Sequence, residues 1–224
     1  MMSNQFDIIQ EIITISNKQY KINRIGDIDL LFDALIAKGS EHEDVKDEKI
    51  PYWAELWPSA IAMSQYLIEN NDLLIGKSII EIGSGLGLPS IVVGEFASNI
   101  LCTDYIQESL DFAKTNYLLN HSNDDNIKFE ILDWRKSEST NKKYDVVIAS
   151  DVAYERKAFD DLEKCIHHLS HENTIVLLSE PNRHMAVDFL ASLKNQQKIK
   201  HSKEYEITQK GIKNKIVVYE IRLN

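Results

Sequence analysis

The sequence predicts an α/β fold in which a seven-stranded, mostly parallel sheet carries helices on both faces and ends in an antiparallel C-terminal hairpin. From Lys77 onward, short apolar runs of β type alternate with longer helical segments, which is typical of a parallel sheet covered by helices. A glycine-rich loop lies where the first of these runs passes into a helix. The tail is β-rich on both sides of Gly211, which indicates the closing hairpin.

The predicted elements follow one another in regular order. The predicted strands are Ser78–Ile82, Ile100–Asp104, Ile127–Leu132, Tyr144–Ser150 and Thr174–Ser179, followed by the hairpin strands His201–Thr208 and Lys215–Leu223. The helices predicted between them are Leu88–Ala97, Gln107–Asn120, Arg156–Leu169 and Arg183–Leu193. Pro89 suits the first turn of its helix, where its missing N–H costs nothing.

A region of different character precedes this core. Glu11–Ile25 alternates apolar and polar residues, which predicts a small hairpin, and Ile28–Ala37 has the pattern of a short helix. A further amphipathic helix is predicted over Ser59–Glu69. Residues 1–49 are interpreted as an N-terminal extension, because they are too few to build a core of their own, and residues 50–224 as the main domain.

The composition describes an ordinary soluble globular protein, with 43% hydrophobic and 27% charged residues. The formal net charge is -10, and proteins that grip a phosphate backbone normally present a basic surface, so nucleic acid is disfavoured as a partner. Cys102 and Cys165 lie 63 positions apart in apolar stretches, which argues against a disulfide framework or a Cys-rich metal site. No signal peptide or membrane span is recognised, and we expect a reducing, cytoplasmic setting. Nothing in the sequence indicates an oligomeric state.

The negative charge is concentrated in one segment. Asp27–Glu48 holds eight acids against two lysines, a local balance of -6. Two interpretations stay open: the acids form a solvated surface, as charge runs usually do, or they help to recruit a cationic substrate.

The glycine loop is the most informative motif. Gly83, Gly85 and Gly87 follow the first strand in a Gly-x-Gly-x-Gly pattern, with Glu81 two residues ahead of Gly83. Glycine there allows a tight turn and a close approach of a ligand to the backbone. Asp104 ends the next strand, 21 residues beyond Gly83, where a carboxylate can accept hydrogen bonds from both hydroxyls of a ribose.

Two cofactors bind at such a loop, and the acid before it favours one of them. A dinucleotide places its pyrophosphate on the helix N-terminus and requires Gly-x-Gly-x-x-Gly, and a carboxylate nearby would repel it. S-adenosylmethionine (SAM) carries an amino group and a sulfonium cation, both of which are attracted by Glu81. We therefore expect SAM in preference to NAD.

The ends of two more strands have residues that can bind a ligand. Asp133 and Trp134 follow the third strand, where a carboxylate can take the adenine amino group and an indole can pack on the ring. Ser150, Asp151 and Tyr154 lie at the end of the fourth strand, at the edge where open α/β sheets bind ligands. The structural alternatives are an ordinary core role for Trp134 and a helix cap for Asp151.

These motifs resemble those of the class I, seven-β-strand, SAM-dependent methyltransferases, which have a Rossmann-like fold. More narrowly, they are similar to the protein lysine methyltransferases of the methyltransferase-like 21 subfamily and of electron-transfer flavoprotein β. The resemblance covers roughly Pro51 to Pro181 and implies that residues 50–224 form the methyltransferase domain. It rests on Trp57-Pro58-Ser59-Ala60, the loop from Glu81 to Leu88, Asp133-Trp134 and Asp151-Val152-Ala153-Tyr154.

The resemblance implies a role for each motif. Asp151 and Tyr154 would face the substrate and are the predicted catalytic residues; Glu180, at the end of the fifth strand, is a weaker candidate. Ser150 and Pro58 depart from the residues expected at their positions. The predicted cofactor-binding residues are Trp57, Glu81, Gly83, Ser84, Gly85, Gly87, Asp104, Tyr105, Asp133, Trp134 and Ser150.

The sequence thus predicts an enzyme that transfers a methyl group from SAM to an amine, with S-adenosyl-L-homocysteine as the other product. No Asn-Pro-Pro-Tyr or Asp-Pro-Pro-Tyr follows the fourth strand, which argues against base amines and glutamine amides as acceptors. A protein lysine is the preferred acceptor. A small-molecule N-methyltransferase acting on a nicotinamide-like amine, and a SAM-binding interaction module without activity, remain the alternatives, and an NAD-dependent oxidoreductase is a more remote one.

Overall fold

The computed structural model describes residues 7–47, 49–139, 141–181, 183, 189–190 and 198–222. The strands are β1 (Ile8–Ile15), β2 (Lys18–Ile25), β3 (Ser78–Ile82), β4 (Asn99–Asp104), β5 (Ile127–Ile131), β6 (Tyr144–Ser150), β7 (Ser170–Glu180), β8 (Lys198–Gln209) and β9 (Ile212–Arg222). The α-helices are α1 (Asp29–Ala37), α2 (Glu43–Lys46), α3 (Pro58–Glu69), α4 (Leu88–Val93), α5 (Gln107–Asn120) and α6 (Phe159–His168). In this part of the chain, no helix is long and apolar enough to cross a membrane.

Seven strands form one sheet in the order β5-β4-β3-β6-β7-β9-β8. The strands from β5 to β7 are parallel, whereas β9 is antiparallel to both β7 and β8. The predicted mostly parallel sheet with a C-terminal hairpin is therefore confirmed. The chain runs outward from β3 to β5 and then returns to β6 on the other side of β3. Ligands of open α/β sheets bind beside the carboxyl ends of the strands at such a switch point.

The central strands are buried on both faces, which explains why their sequences are continuous apolar runs. Adjacent side chains of β3 enter two different cores: Ile79 packs with residues of α3, α4 and α5, and Ile80 packs with residues of α6. Both isoleucines are fully buried. The two faces of the sheet are thus both covered by helices.

The N-terminal hairpin of β1 and β2 forms a separate two-stranded sheet, yet it shares the core of the main sheet. Its register is fixed against α5 by Asn116, whose side chain accepts from the Asn23 N–H at 2.7 Å and donates to the Asn23 carbonyl at 3.0 Å. Ile15 and Ile22 are buried in the cluster that also contains Met63 of α3. Residues 7–25 are consequently anchored to the sheet by both polar and apolar contacts.

Several predicted elements differ in their bounds from the observed ones. Both strands of the C-terminal hairpin begin three residues earlier than predicted. The predicted helix Leu88–Ala97 ends at Val93, after which the chain forms a tighter turn in which the Phe96 N–H donates to the Val93 carbonyl at 2.9 Å. The predicted helix Arg156–Leu169 begins as a 3-10 turn and becomes α-helical only at Phe159. The fifth strand starts at Ser170, directly after α6, and is longer than predicted. The predicted helix 183–193 lies almost entirely outside the described residues.

The close contact between α5 and the glycine loop gives a stability test. Gly87 has φ +80°, and a Cβ there would lie 2.9 Å from the Ala113 Cβ. We expect Gly87→Ala to lower the free energy of unfolding by about 1–2 kcal/mol for the left-handed backbone, plus roughly 1–3 kcal/mol for the overlap. Urea unfolding measures the loss.

The matched control for that substitution is Gly76→Ala. Gly76 also has a positive φ, +70°, but a Cβ there would meet no atom within 4 Å, so only the backbone cost applies. If both variants lose the same free energy, the contact with Ala113 imposes no constraint on the loop.

Candidate functional site

The glycine loop joins β3 to α4 in a conformation that requires glycine. Gly83, Gly85 and Gly87 have φ values of +65°, +53° and +80°, all in the left-handed region. Space is also limiting, because a Cβ on Gly83 would lie 3.0 Å from Val152 Cγ1 and 3.4 Å from the Trp134 ring. The loop is therefore held close to the ends of β5 and β6.

Asp104, the last residue of β4, fixes this loop from the side. Its Oδ2 accepts the Gly85 N–H at 2.9 Å, and its Oδ1 accepts the Ile106 N–H at 3.0 Å, ahead of α5. Burial raises the pKa of Asp104, while these N–H groups oppose the shift. One carboxylate thus connects the loop after β3 to the helix after β4.

Glu81 of β3 lies fully inside the protein, beneath the loop. Its Oε2 accepts from the Ser90 N–H at 2.9 Å and from the Ser90 hydroxyl at 2.5 Å. Burial, together with the nearby charge of Asp104, raises the pKa of Glu81 to about 8. Glu81 therefore forms hydrogen bonds to α4 directly, a contact that the sequence did not predict.

Asp133 and Tyr105, predicted to contact the cofactor, are linked to each other through Arg135. Asp133 accepts from the Nε and Nη2 atoms of Arg135, at 2.8 and 2.9 Å, and the same Nη2 donates to the Tyr105 hydroxyl at 2.9 Å. Tyr105 in turn donates to Asp47 at 2.6 Å. The acidic N-terminal segment is thereby attached to the ends of β4 and β5.

Part of that acidic segment is neutralised within itself. Asp44 pairs with Lys38 at 2.6 Å and with Lys49 at 2.7 Å, and Glu41 pairs with Lys46 at 2.8 Å. Recruitment of a cationic substrate by the remaining charge stays a prediction.

Asp151 follows β6 in a left-handed conformation, with φ +59°. Its side chain is only 7% exposed and accepts from the Ser59 hydroxyl at 3.2 Å, at the N-terminus of α3. It also forms a short ion pair with Arg183. A helix N-terminus favours a carboxylate, so α3 stabilises the charge of Asp151.

Tyr154 lies in an aromatic cluster at the surface, formed with Phe32, Tyr52 and Trp57. The Tyr52 ring contacts Tyr154 edge to face at 5.6 Å, Trp57 at 6.0 Å and Phe32 at 6.2 Å between centroids. The Trp57 Nε1 donates to the Tyr52 carbonyl at 2.8 Å, which orients the indole. The cluster forms an aromatic wall beside the end of β6.

The strands that carry Glu81, Asp104, Asp133 and Asp151 are parallel neighbours, so the four acids lie toward one edge of the sheet, as the strand order requires. The individual roles of the predicted site residues stay predictions. Among the described residues, no group of three or more His, Cys, Asp or Glu side chains is arranged to hold a metal ion. The sequence reading missed the residues Asp47, Tyr52, Arg135 and Arg183. Asp47 lies in the acidic segment Asp27–Glu48, and Tyr52 and Arg135 each lie beside a predicted motif, so these three had a signal.

The fold and the glycine loop, with an acid at the end of the following strand, are those of class I methyltransferases. The crystal structure of SMU.776, a putative methyltransferase complexed with S-adenosylhomocysteine, superposes with a TM-score of 0.65 at 12% identity. That comparison covers 96% of this chain and 56% of the other. The chain belongs to the lysine methyltransferase family, whose sequence profile matches residues 43–196, more than half of the chain.

Two curated relatives agree with this family. The electron transfer flavoprotein beta subunit lysine methyltransferase of Rattus norvegicus is 33% identical over 150 residues, which cover 64% of this chain and 55% of the relative. The protein N-lysine methyltransferase METTL21A of Xenopus tropicalis is 30% identical over 144 residues, covering 63% and 66%. The matched part thus spans between about half and two thirds of each relative.

Burial of Glu81 predicts a pH dependence of stability. Its pKa rises from 4.5 to about 8 on folding, so the folded protein binds more protons than the unfolded chain between these values, and its free energy of unfolding falls as pH rises through them. Glu81→Gln removes this ionisation. We expect a smaller decline between about pH 5 and 8, measured by urea unfolding.

The control is Glu130→Gln, which removes an exposed carboxylate of β5 and should keep the wild-type decline. A Glu81→Gln variant with an unchanged decline would contradict the role given to Glu81.

Proposed function

We propose that this protein is a SAM-dependent N-methyltransferase that methylates a lysine side chain of another protein and releases S-adenosyl-L-homocysteine. The observation that carries the proposal is that two regions lie next to each other at one edge of the sheet. One is the glycine loop with its buried acids, and the other is the aromatic wall near Asp151. Negative charge in both regions favours a cationic cofactor and a cationic acceptor. Membership of the lysine methyltransferase family supports the same reaction.

Two buried hydroxyls support a polar ligand at the loop. Ser84 Oγ and Ser150 Oγ are buried without a hydrogen-bond partner among the described residues. An unpaired buried polar group costs about 1–3 kcal/mol, and a ligand that pairs with it removes that cost. SAM has amino, carboxylate and hydroxyl groups that suit such partners, and its sulfonium supplies a methyl group ready for transfer.

The buried acids of the loop fit the charge of this cofactor. Burial disfavours ionisation of both Glu81 and Asp104, and a positive charge nearby shifts both carboxyls back toward the ionised form. A neutral or anionic ligand offers no such compensation. We assign cofactor binding to the predicted set of Trp57, Glu81, Gly83, Ser84, Gly85, Gly87, Asp104, Tyr105, Asp133, Trp134 and Ser150.

Asp151 and Tyr154 are the residues proposed to face the acceptor. Asp151 attracts an ammonium group, and its orientation is fixed by Ser59. Burial raises the pKa of Tyr154 to about 12, so its hydroxyl stays protonated at neutral pH and serves as a wall and hydrogen-bonding group, not as a base. Aromatic faces also stabilise cations and exclude water, which helps to align an amine for in-line displacement.

The cellular compartment of the protein is also a proposal. Both cysteines are buried free thiols, which suits a reducing compartment such as the cytoplasm. The partner is then a protein with an accessible lysine in that compartment.

Two isosteric substitutions separate cofactor binding from methyl transfer. Asp104→Asn removes the charge that holds Gly85 and is expected to weaken S-adenosylhomocysteine binding by at least about tenfold, roughly 1.4 kcal/mol. Asp151→Asn is expected to leave that binding within about twofold, while reducing methyl transfer by at least about 100-fold. Calorimetry measures binding, and radiolabelled SAM incubated with a cell lysate measures transfer.

The lysate experiment also tests the acceptor. Label on lysine in a protein band supports the proposal, label in small molecules overturns the protein acceptor, and absence of label despite tight cofactor binding overturns the enzymatic function. Full transfer activity in Asp151→Asn would remove Asp151 from the acceptor site.

A further inference from the structure

A second buried carboxyl lies beside Asp151, at the end of the neighbouring strand. β6 and β7 are paired in parallel, and the Asp151 N–H donates to the Ser179 carbonyl at 3.0 Å, which brings Glu180 next to Asp151. The side chain of Glu180 is 1% exposed and that of Asp151 is 7% exposed. Asp151 and Glu180 thus form a buried carboxylate pair.

Among the described residues, one cationic side chain compensates the carboxylate pair. The Arg183 guanidinium contacts the Oδ1 of Asp151 and lies 3.7 Å from the Oε1 of Glu180. Burial and the charge of Asp151 raise the pKa of Glu180 to about 7, while Arg183 opposes the shift. Glu180 in turn raises the pKa of Tyr219 of β9. Within the described ranges, the two acids therefore share one cation.

One oxygen of the carboxylate pair has no partner. The Oε2 of Glu180 is buried and accepts no hydrogen bond within the described residues, whereas its Oε1 accepts the Arg183 N–H at 3.4 Å. A buried carboxylate oxygen without a donor is costly, and such groups in folded proteins call for a specific explanation. A ligand that donates a hydrogen bond to Oε2 of Glu180 supplies such an explanation.

Arg183 is the exposed member of this group. Its side chain is 35% exposed, in contrast to the two acids beneath it. It also interacts electrostatically with Tyr52, which contacts Tyr154 in the aromatic cluster. The guanidinium is thus near both the carboxylate pair and one ring of the aromatic cluster.

We propose that Glu180 and Asp151 together bind the ammonium group of the acceptor, and that Arg183 occupies this position in the free protein and is displaced by the acceptor. This inference rests on the proposed function, because it names the group that holds the lysine head. An ammonium has three donors, enough for one oxygen of Asp151 and the unpartnered Oε2 of Glu180. Glu180 is a binding residue in this scheme, and Arg183 a competing internal cation.

The test measures binding of n-butylammonium, the side-chain equivalent of lysine, to the protein without cofactor. The carboxyl ¹³C resonance of Glu180, assigned by its loss in Glu180→Gln, reports wild-type binding. In the variants, the assigned Asp151 carboxyl resonance reports the same event. At about pH 8.5, where both Glu180 and the ammonium are charged, we expect Glu180→Gln to weaken binding by at least about tenfold.

Two further variants sharpen the test. Arg183→Gln is expected to tighten n-butylammonium binding by about fivefold or more, because a competing internal cation reduces the apparent affinity. Glu130→Gln, which removes an exposed carboxylate four strands away, is expected to change nothing. If Glu180→Gln binds n-butylammonium with wild-type affinity, the inference is overturned. This measurement is sufficient even if Arg183→Gln fails to fold.

The pH dependence separates binding by Glu180 from a merely structural role. Wild-type affinity for n-butylammonium is expected to fall several-fold between about pH 8 and 6, because Glu180 becomes protonated, and Glu180→Gln is expected to lose this dependence. An identical pH dependence in the variant counts against the inference.

The same experiment distinguishes this inference from the proposed function. Since it needs no cofactor and no methyl transfer, binding of n-butylammonium by the carboxylate pair supports the inference even if the lysate experiment shows no transfer. Methyl transfer that is insensitive to Glu180→Gln, together with unchanged binding, overturns the inference alone. Preference for n-butylguanidinium by more than about tenfold would overturn the ammonium assignment and the lysine acceptor together.

Discussion

The hydrogen bonds of one buried carboxylate, Asp104, determine how the site is assembled. By accepting the N–H groups of Gly85 and Ile106, Asp104 holds the loop after β3 against the start of α5. The loop can lie there only because Gly83, Gly85 and Gly87 adopt left-handed conformations without a Cβ. The position of α4, and with it the Ser90 hydroxyl that satisfies Glu81, follows from this turn.

A second feature of the site is the burial of carboxyls near the carboxyl ends of two strands, Glu81 on β3 and Glu180 on β7. Glu81 and Glu180 are each more than nine-tenths buried, and burial raises the pKa of both. Burying carboxyls costs free energy unless they are paired or protonated. The fold compensates them only in part, through Ser90 and Arg183. This partial compensation is the physical reason why we propose cationic ligands for the site.

The region before the main sheet contributes side chains to the site as well as packing. Asn116 fixes β2 on α5, and the chain that follows brings Asp47 to Tyr105 and Tyr52 to Tyr154. Each of these contacts joins residues more than 50 positions apart in sequence. They close the outer side of the site, and a change in this region can therefore affect ligands that bind at the main sheet.

The sequence by itself determined the sheet, since β3 and β6 are buried on both faces and leave continuous apolar runs with clear ends. The glycine pattern was equally readable, because left-handed backbone conformations favour glycine. The acids at strand ends could be placed at one edge, because the strands are parallel. Only the tertiary structure decided which partners those acids have, such as Arg135 for Asp133 and Arg183 for Asp151. It also decided that Gly94 has no room for a side chain, since a Cβ there would lie 2.6 Å from the hydroxyl of Tyr117 in a different helix. A helix or strand can be predicted from residues that are close in sequence. The partner of a charged or aromatic side chain cannot, because it comes from a distant segment that packs against it in the folded protein.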